Sequence, residues 1–141
     1  MAKLDYLQCT TNSRQKILTL KEKRSKFVLN NPNEVSLGII KVDGCLVNGM
    51  HPRCDYIVEV LDERHAYYVE LKGCELDKAI KQLSATLELT QARFKHHQKT
   101  ACVVTTRVPK QDNRMLKIRK DLQAKYHTQL TVKNNQLIVD C

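Results

Sequence analysis

The chain has 141 residues, of which 42% are hydrophobic and 28% charged, and its formal net charge at neutral pH is +9. This composition argues against a disordered chain, and no apolar run approaches the roughly 20 residues of a membrane-spanning helix. The length predicts one domain, residues 1–141, and the first residues lack the apolar segment of a signal peptide, so we expect a cytoplasmic protein.

The charge is distributed unevenly. Residues 1–33 carry seven Lys or Arg against two acids, a net of +5, and residues 91–127 carry ten against two, a net of +8. Residues 34–90 carry six against ten, a net of −4. An acidic centre would repel phosphate in a protein that only binds polyanions. A protein that holds a divalent cation against phosphate would use both signs of charge. Its carboxylates would bind the cation, and its basic arms would bind the phosphate backbone.

The first third of the chain predicts strands with one short helix. The segment 13–27, SRQKILTLKEKRSKF, is predicted as a basic helix that continues into a strand. The β-branched, apolar segment 34–47, EVSLGIIKVDGCLV, predicts a strand interrupted at Asp43-Gly44, a turn or bulge dipeptide. Two further strands, DYIVEVL (55–61) and AYYVEL (66–71), flank a charged turn at 62–65 and predict a β-hairpin.

After this hairpin the apolar period changes from two to 3.6, which predicts an amphipathic helix from Glu75 to about residue 94. Its apolar face consists of Leu76, Ala79, Ile80, Leu83, Leu87 and Phe94. A strand (101–108) and a second, basic helix (about 110–126) follow, with the apolar stripe Met115, Ile118, Leu122 and Tyr126. The last segment, 129–140, predicts a small hairpin around Asn134-Asn135. The order β-β-β-α-β-α-β predicts an α/β fold with a mixed sheet.

Six cysteines occur at positions 9, 45, 54, 74, 102 and 141, and none forms a CxxC pair. In a basic chain that we place in the cytoplasm, we expect reduced thiols rather than a disulfide framework.

Charged residues stand at the open end of the central hairpin. Asp55 begins its first strand, and Glu70 and Lys72 end its second. Alternation places Glu70 and Lys72 on one face, and antiparallel pairing brings Asp55 close to both. Two carboxylates at the end of a sheet suit a magnesium ion, with Lys72 near the water that attacks phosphorus. The alternative is a solvated surface ion pair. Glu59, nearer the turn of the same hairpin, is expected to be dispensable.

The pattern Asp55, fourteen intervening residues, then Glu70-Leu71-Lys72 resembles the D…(D/E)xK site of the PD-(D/E)xK nuclease superfamily, which includes restriction endonucleases and Holliday-junction resolvases. The resemblance covers about residues 36–106. It implies a restriction-endonuclease-like core, with a mixed β-sheet flanked by helices. It also implies Mg²⁺ (or Mn²⁺) held by Asp55 and Glu70, and phosphodiester hydrolysis.

Two departures from the family pattern are visible. Cys54, not proline, precedes the aspartate. No residue stands out as the additional acid that many members carry, so Glu22, Glu34 and Asp43 all stay candidates. Gln82, two turns into the first long helix, is a candidate polar neighbour of the site.

Basic residues near the end of the chain form a candidate phosphate-binding surface. We therefore expect a Mg²⁺-dependent endonuclease that acts on DNA, and a homodimer, because one site cuts one strand. The alternatives are a catalytically inactive nucleic-acid-binding subunit with a nuclease-like fold, or a protein whose basic surface binds an acidic protein. The candidate nucleic-acid-binding residues are Arg107, Lys110, Arg114, Lys117 and Lys120.

Overall fold

The computed structural model describes residues 4–71, 75–107 and 113–141. In chain order its elements are α1 (Tyr6–Cys9), β1 (Thr10–Ser13), β2 (Ile17–Glu22), β3 (Ser25–Asn30), β4 (Leu37–Lys41), β5 (Tyr56–Val60), β6 (His65–Leu71), α2 (Leu76–Leu89), β7 (Gln98–Thr105), α3 (Asn113–Tyr126), β8 (Thr128–Asn134) and β9 (Gln136–Asp140).

Six strands form one mixed sheet in the order β1-β4-β5-β6-β7-β8. Strands β1, β4, β5 and β6 pair antiparallel, and β6, β7 and β8 pair parallel. Helix α2 connects β6 to β7, and α3 connects β7 to β8, as parallel neighbours require. The predicted α/β fold with a mixed sheet is confirmed, and so is the order β4-β5-β6-α2-β7-α3-β8.

A second sheet of three strands, β2-β3-β9, covers the other face of the large sheet. Alternation along β6 shows both layers. Ala66 and Tyr68 pack with residues of α2 and α3, whereas Tyr67 and Val69 pack against β2 and β3. The molecule therefore has three layers, with helices α2 and α3 on one face of the central sheet and a small sheet on the other.

Two sequence predictions are wrong at the chain ends. The basic segment predicted as a helix forms the antiparallel pair β2–β3, because alternating apolar residues such as Leu18 and Leu20 pack on the central sheet. The predicted C-terminal hairpin does not form either. Strand β8 pairs with β7 and strand β9 with β3, in different sheets, and the chain turns between them at Asn135 with φ +64°.

Smaller corrections concern element ends. The central hairpin turns at 61–64, and His65 already belongs to β6. Helix α2 ends at Leu89, although Phe94, which was assigned to its apolar face, is fully buried in the turn that follows. Within the described ranges, no helix combines the length and apolar character needed to cross a membrane.

The expectation that all cysteines are thiols is wrong for one pair. Cys9 and Cys45 form a disulfide that joins α1 to the loop after β4, a pairing that the spacing of 36 residues did not indicate. Cys54 and Cys102 are buried thiols and Cys141 is a half-buried one. Cys74 lies outside the described residues.

Candidate active site

The backbone of Asp55 is fixed between two strand ends. Its N–H donates to the Val69 carbonyl (3.1 Å), and its carbonyl accepts from the N–H groups of Val42 (3.0 Å) and Asp43 (3.3 Å). Its side-chain Oδ2 accepts a 2.7 Å hydrogen bond from the Leu71 N–H. Asp55 therefore joins the end of β4 to the end of β6, and its carboxyl group has little freedom to move.

Cys54, at the position where the resemblance favours proline, contributes to this placement. Its N–H donates to Thr86 Oγ1 of α2 (2.9 Å), and that hydroxyl donates to the Gln82 carbonyl. Proline has no N–H and could not make the first bond. The main chain before Asp55 is thus attached to α2 through a hydrogen bond that this chain makes because it lacks the proline.

Glu70 lies directly across the hairpin from Asp55, one step beyond the paired residues Tyr56 and Val69. Its side chain is only 7% exposed, and no described residue forms a hydrogen bond with its buried Oε1. Burial raises the pKa of Glu70 to about 9, with further contributions from the carboxyl groups of Asp55, Glu22 and Asp43. The predicted proximity of Asp55 and Glu70 is confirmed.

Burial also raises the pKa of Asp55, although the hydrogen bond from Leu71 stabilises its ionised form and opposes this effect. The carboxyl groups of Asp55 and Glu70 also form a hydrogen bond with each other. Two neighbouring carboxyl groups, one half-buried and one buried, favour a shared proton over two negative charges.

A cleft of about 180 Å³ opens beside Asp55. Its walls come from β2, the end of β4, the start of β5 and the end of β6, and it is lined by Lys21, Glu22, Lys41, Asp43, Asp55, Tyr56 and Leu71. Of the candidates for an additional acid, Glu22 and Asp43 thus lie at the site. Glu34 is not a lining residue; it is exposed before β4, where its carbonyl accepts from Arg14.

Asp43 is held in position by a cation. Arg53 Nε lies 2.9 Å from Asp43 Oδ1, and the same guanidinium donates to the carbonyls of Gly49 and His51. These bonds fix the loop between β4 and β5 and partly neutralise Asp43. Gln82 does not line the cleft. Its main-chain carbonyl accepts from the Thr86 hydroxyl that bonds Cys54.

The basic residues predicted to bind nucleic acid do not line this cleft. Arg107, Lys117 and Lys120 are exposed, whereas Arg114 forms an ion pair with Asp77 at the start of α2. Lys110 lies outside the described residues, and so does Lys72, so the geometry of the third predicted catalytic residue is not described.

Two lysines at the cleft were not identified from the sequence. Lys21 and Lys41 lie on β2 and β4, and both line the cavity beside the acids. The alternation of LTLKEK was a signal for a strand with Lys21 on its exposed face. The prediction of a helix over this segment hid that signal.

Among the described residues, no group of three or more His, Cys, Asp and Glu side chains has an arrangement that could hold a metal ion. The pair Asp55–Glu70 nevertheless offers oxygen donors of the kind that divalent cations prefer, and Glu70 Oε1 has no hydrogen-bond partner among the described residues. No protein-family model, curated protein or solved structure matches the chain.

Proposed function

We propose that the protein is a metal-dependent endonuclease that hydrolyses phosphodiester bonds in DNA in the cytoplasm, and that it belongs to the PD-(D/E)xK superfamily. The observation that carries the proposal is the carboxyl pair of Asp55, which lines the cleft, and Glu70, which does not line it and whose Oε1 is buried and unpartnered among the described residues. Such a pair costs stability, and strongly perturbed carboxyl groups in a cleft are concentrated at functional sites.

Asp55 and Glu70 would hold Mg²⁺ (or Mn²⁺), with further ligands from main-chain carbonyls and water. Carboxylate oxygens are the ligands that these cations prefer, and binding would displace the proton that the pair shares. When bound, the cation would polarise the scissile phosphate and neutralise the charge that develops on it.

The remaining roles belong to residues of the chain. The Leu71 N–H and the main-chain bonds to Val42 and Val69 keep Asp55 oriented before the cation arrives. Glu22 and Asp43 add negative potential at the cleft. Lys72 would orient or deprotonate the nucleophilic water, as the resemblance implies, and a homodimer would supply the second site for a double-strand cut.

The test is a cleavage panel with purified protein, plasmid DNA, and labelled DNA and RNA oligonucleotides, in Mg²⁺, Mn²⁺ or EDTA. We expect cleavage of DNA that requires the cation and that is lost in Asp55→Asn and Lys72→Ala. Asp62→Asn, in the exposed turn at the other end of the hairpin, removes one carboxylate and serves as the matched control.

Cleavage that persists in EDTA, or equal activity of Asp55→Asn and the control, would contradict the proposal. Binding of DNA without any cleavage would instead favour the inactive nucleic-acid-binding subunit. Light scattering with and without DNA tests the dimer, since a monomeric mass in both conditions would count against it.

A further inference from the structure

The β2–β3 hairpin places a dense group of positive charge at the cleft. Residues 21–26, KEKRSK, contain four basic side chains and one acid, and the turn between the strands is Lys23-Arg24. Lys21 and Glu22, at the end of β2, line the cleft itself. The hairpin is therefore a basic projection whose end borders the candidate site.

Two lysines of this hairpin face each other. Lys21 pairs directly with Lys26 across the antiparallel strands, and like charges in such a position destabilise a sheet. None of the four basic side chains forms an ion pair with a residue of 4–71, 75–107 or 113–141. They are Lys21, Lys23, Arg24 and Lys26. The arrangement gives the fold no evident benefit, whereas a bound polyanion would relieve the repulsion.

Positive charge also stands on a second wall of the cleft. Lys41 is the exposed last residue of β4 and lines the cavity together with Lys21. The acids Asp43 and Asp55 share this cavity, so both cations and carboxylates line it. A phosphate backbone needs such flanking cations to approach a group of carboxylates.

The basic helix α3 is less suited to this role. Arg114 is engaged by Asp77, and Arg119 donates to the Leu130 carbonyl. These two guanidinium groups thus stabilise the contacts of α3 with α2 and β8. Part of the charge that made α3 attractive in the sequence is already used within the fold.

We propose that the β2–β3 hairpin, through Lys21, Lys23, Arg24 and Lys26 with Lys41 beside them, binds the phosphodiester backbone of a nucleic acid and positions it over the carboxyl pair. The inference deepens the proposed nuclease function and rests on it for the purpose of the contact. The hairpin residues are positioning residues, because they would act on the backbone of the strand and not on the reacting atoms.

Three double variants with the same loss of two positive charges test the assignment. The hairpin variant is Lys23→Asn with Arg24→Gln; asparagine suits the φ of +52° at position 23. The helix variant is Lys117→Gln with Lys120→Gln. The control is Lys95→Gln with Lys125→Gln, two exposed lysines at a depression beside the start of β7, whereas the cleft lies at the end of β6.

Affinity is measured by anisotropy with a fluorescent DNA of about 20 nucleotides, single-stranded and duplex, in EDTA so that cleavage plays no part. We expect the hairpin variant to weaken binding about tenfold or more and to reduce the slope of log K against log salt by about two. The helix variant and the control should each change affinity less than about threefold, through net charge alone.

Equal losses in all three variants, a larger loss in the helix variant, or no binding by the unmodified protein would overturn the inference. Lys21→Gln with Lys26→Gln is the second hairpin variant. It should weaken binding while leaving Tm unchanged or raised, because it removes the facing lysines. Binding that depends on the hairpin, without cleavage in Mg²⁺, would refute the nuclease and keep the hairpin contact. Cleavage at an unchanged rate in the hairpin variants would keep the nuclease and refute the hairpin contact.

Discussion

Each end of the β5–β6 hairpin carries a poorly exposed acid, but the two acids differ in their partners. Near the turn, Glu59 Oε2 lies 2.8 Å from His97 Nε2, with the two side chains 17% and 15% exposed. At the open end, Glu70 faces Asp55, with Glu22 and Asp43 nearby, and its Oε1 has no hydrogen-bond partner among the described residues.

The difference is one of pairing: Glu59 has a partner in His97, whereas Glu70 Oε1 has none among the described residues. An acid that folding removes from water is normally matched with a cation or a donor, as Glu59 is. At Glu70 the fold has placed other carboxyl groups beside a buried acid, and no described residue bonds its Oε1. That Glu59 is dispensable for cleavage stays a prediction. Its contact with His97 means that removing the side chain should cost stability.

The largest expected effect is on cleavage. Replacing Glu70 by Gln keeps its size but removes the charge that would hold the cation, so Mg²⁺-dependent activity should fall about a thousandfold or more. Glu59→Gln should keep full activity per folded molecule, since it lies at the other end of the hairpin. Initial rates on one labelled DNA give both numbers. Equal losses of activity in the two variants would contradict a special role for the acid at the open end.

The second effect concerns stability in the presence of the cation. A ligand that binds only the folded state stabilises it by about 2.7 kcal/mol at a hundred times its Kd. Mg²⁺ should therefore raise Tm in the unmodified protein and in Glu59→Gln, but not in Glu70→Gln. NaCl at the same ionic strength is the control. An equal rise in all three proteins would place the cation elsewhere.

A third effect has the opposite sign at the two ends. Glu59→Ala should lower the free energy of unfolding by about 1–3 kcal/mol, because it leaves half-buried His97 without its partner. Glu70→Gln, without metal, should leave stability unchanged or raise it, because it removes a carboxyl group from an acidic group. Denaturant melts in EDTA measure both. A marked loss of stability in Glu70→Gln would mean that this acid has a structural partner.

A fourth effect is a slope of stability with pH. In the folded state the pKa of Glu70 is raised from 4.5 to about 9, so the unfolded chain binds fewer protons between these values. Metal-free stability should therefore be greatest below about pH 4.5 for this group and fall as pH rises towards 9, by at most about 1.4 kcal/mol per pH unit. Glu70→Gln should show a flatter profile. Identical slopes for the two proteins would contradict the raised pKa.

The central hairpin and its acids could be predicted because the relevant contacts are local. The pairing of Asp55 with Glu70 spans fifteen residues and follows from the alternation of two strands around one turn. The apolar faces of the helices could be predicted equally well. Leu83 and Leu87 in α2 are buried as their spacing implied, and so are Met115 and Leu122 in α3. The roles of Asp55, Glu70 and Lys72 stay predictions.

The surroundings of the pair could not be predicted, because they depend on distant segments. Strand β3 pairs with β9, where Lys26 meets Gln136, 110 residues further along the chain. That pairing builds the small sheet whose neighbour β2 brings Lys21 and Glu22 to the cleft. Periodicity within a segment cannot report such a contact, so the choice among Glu22, Glu34 and Asp43 had to stay open.

By itself, the sequence determined the mixed α/β sheet, the apolar faces of its helices and the meeting of Asp55 with Glu70, because periods of two and 3.6 decide which side chains share a face. The tertiary structure alone decided that the basic segment is a hairpin on the central sheet, that Cys9 bonds Cys45, and that Glu70 is buried among acids while Glu59 has His97. The physical reason is that distant segments of the chain decide which side chains of a strand are buried, and burial in turn sets their pKa and their partners. A local sequence pattern does not show which distant segment will cover it.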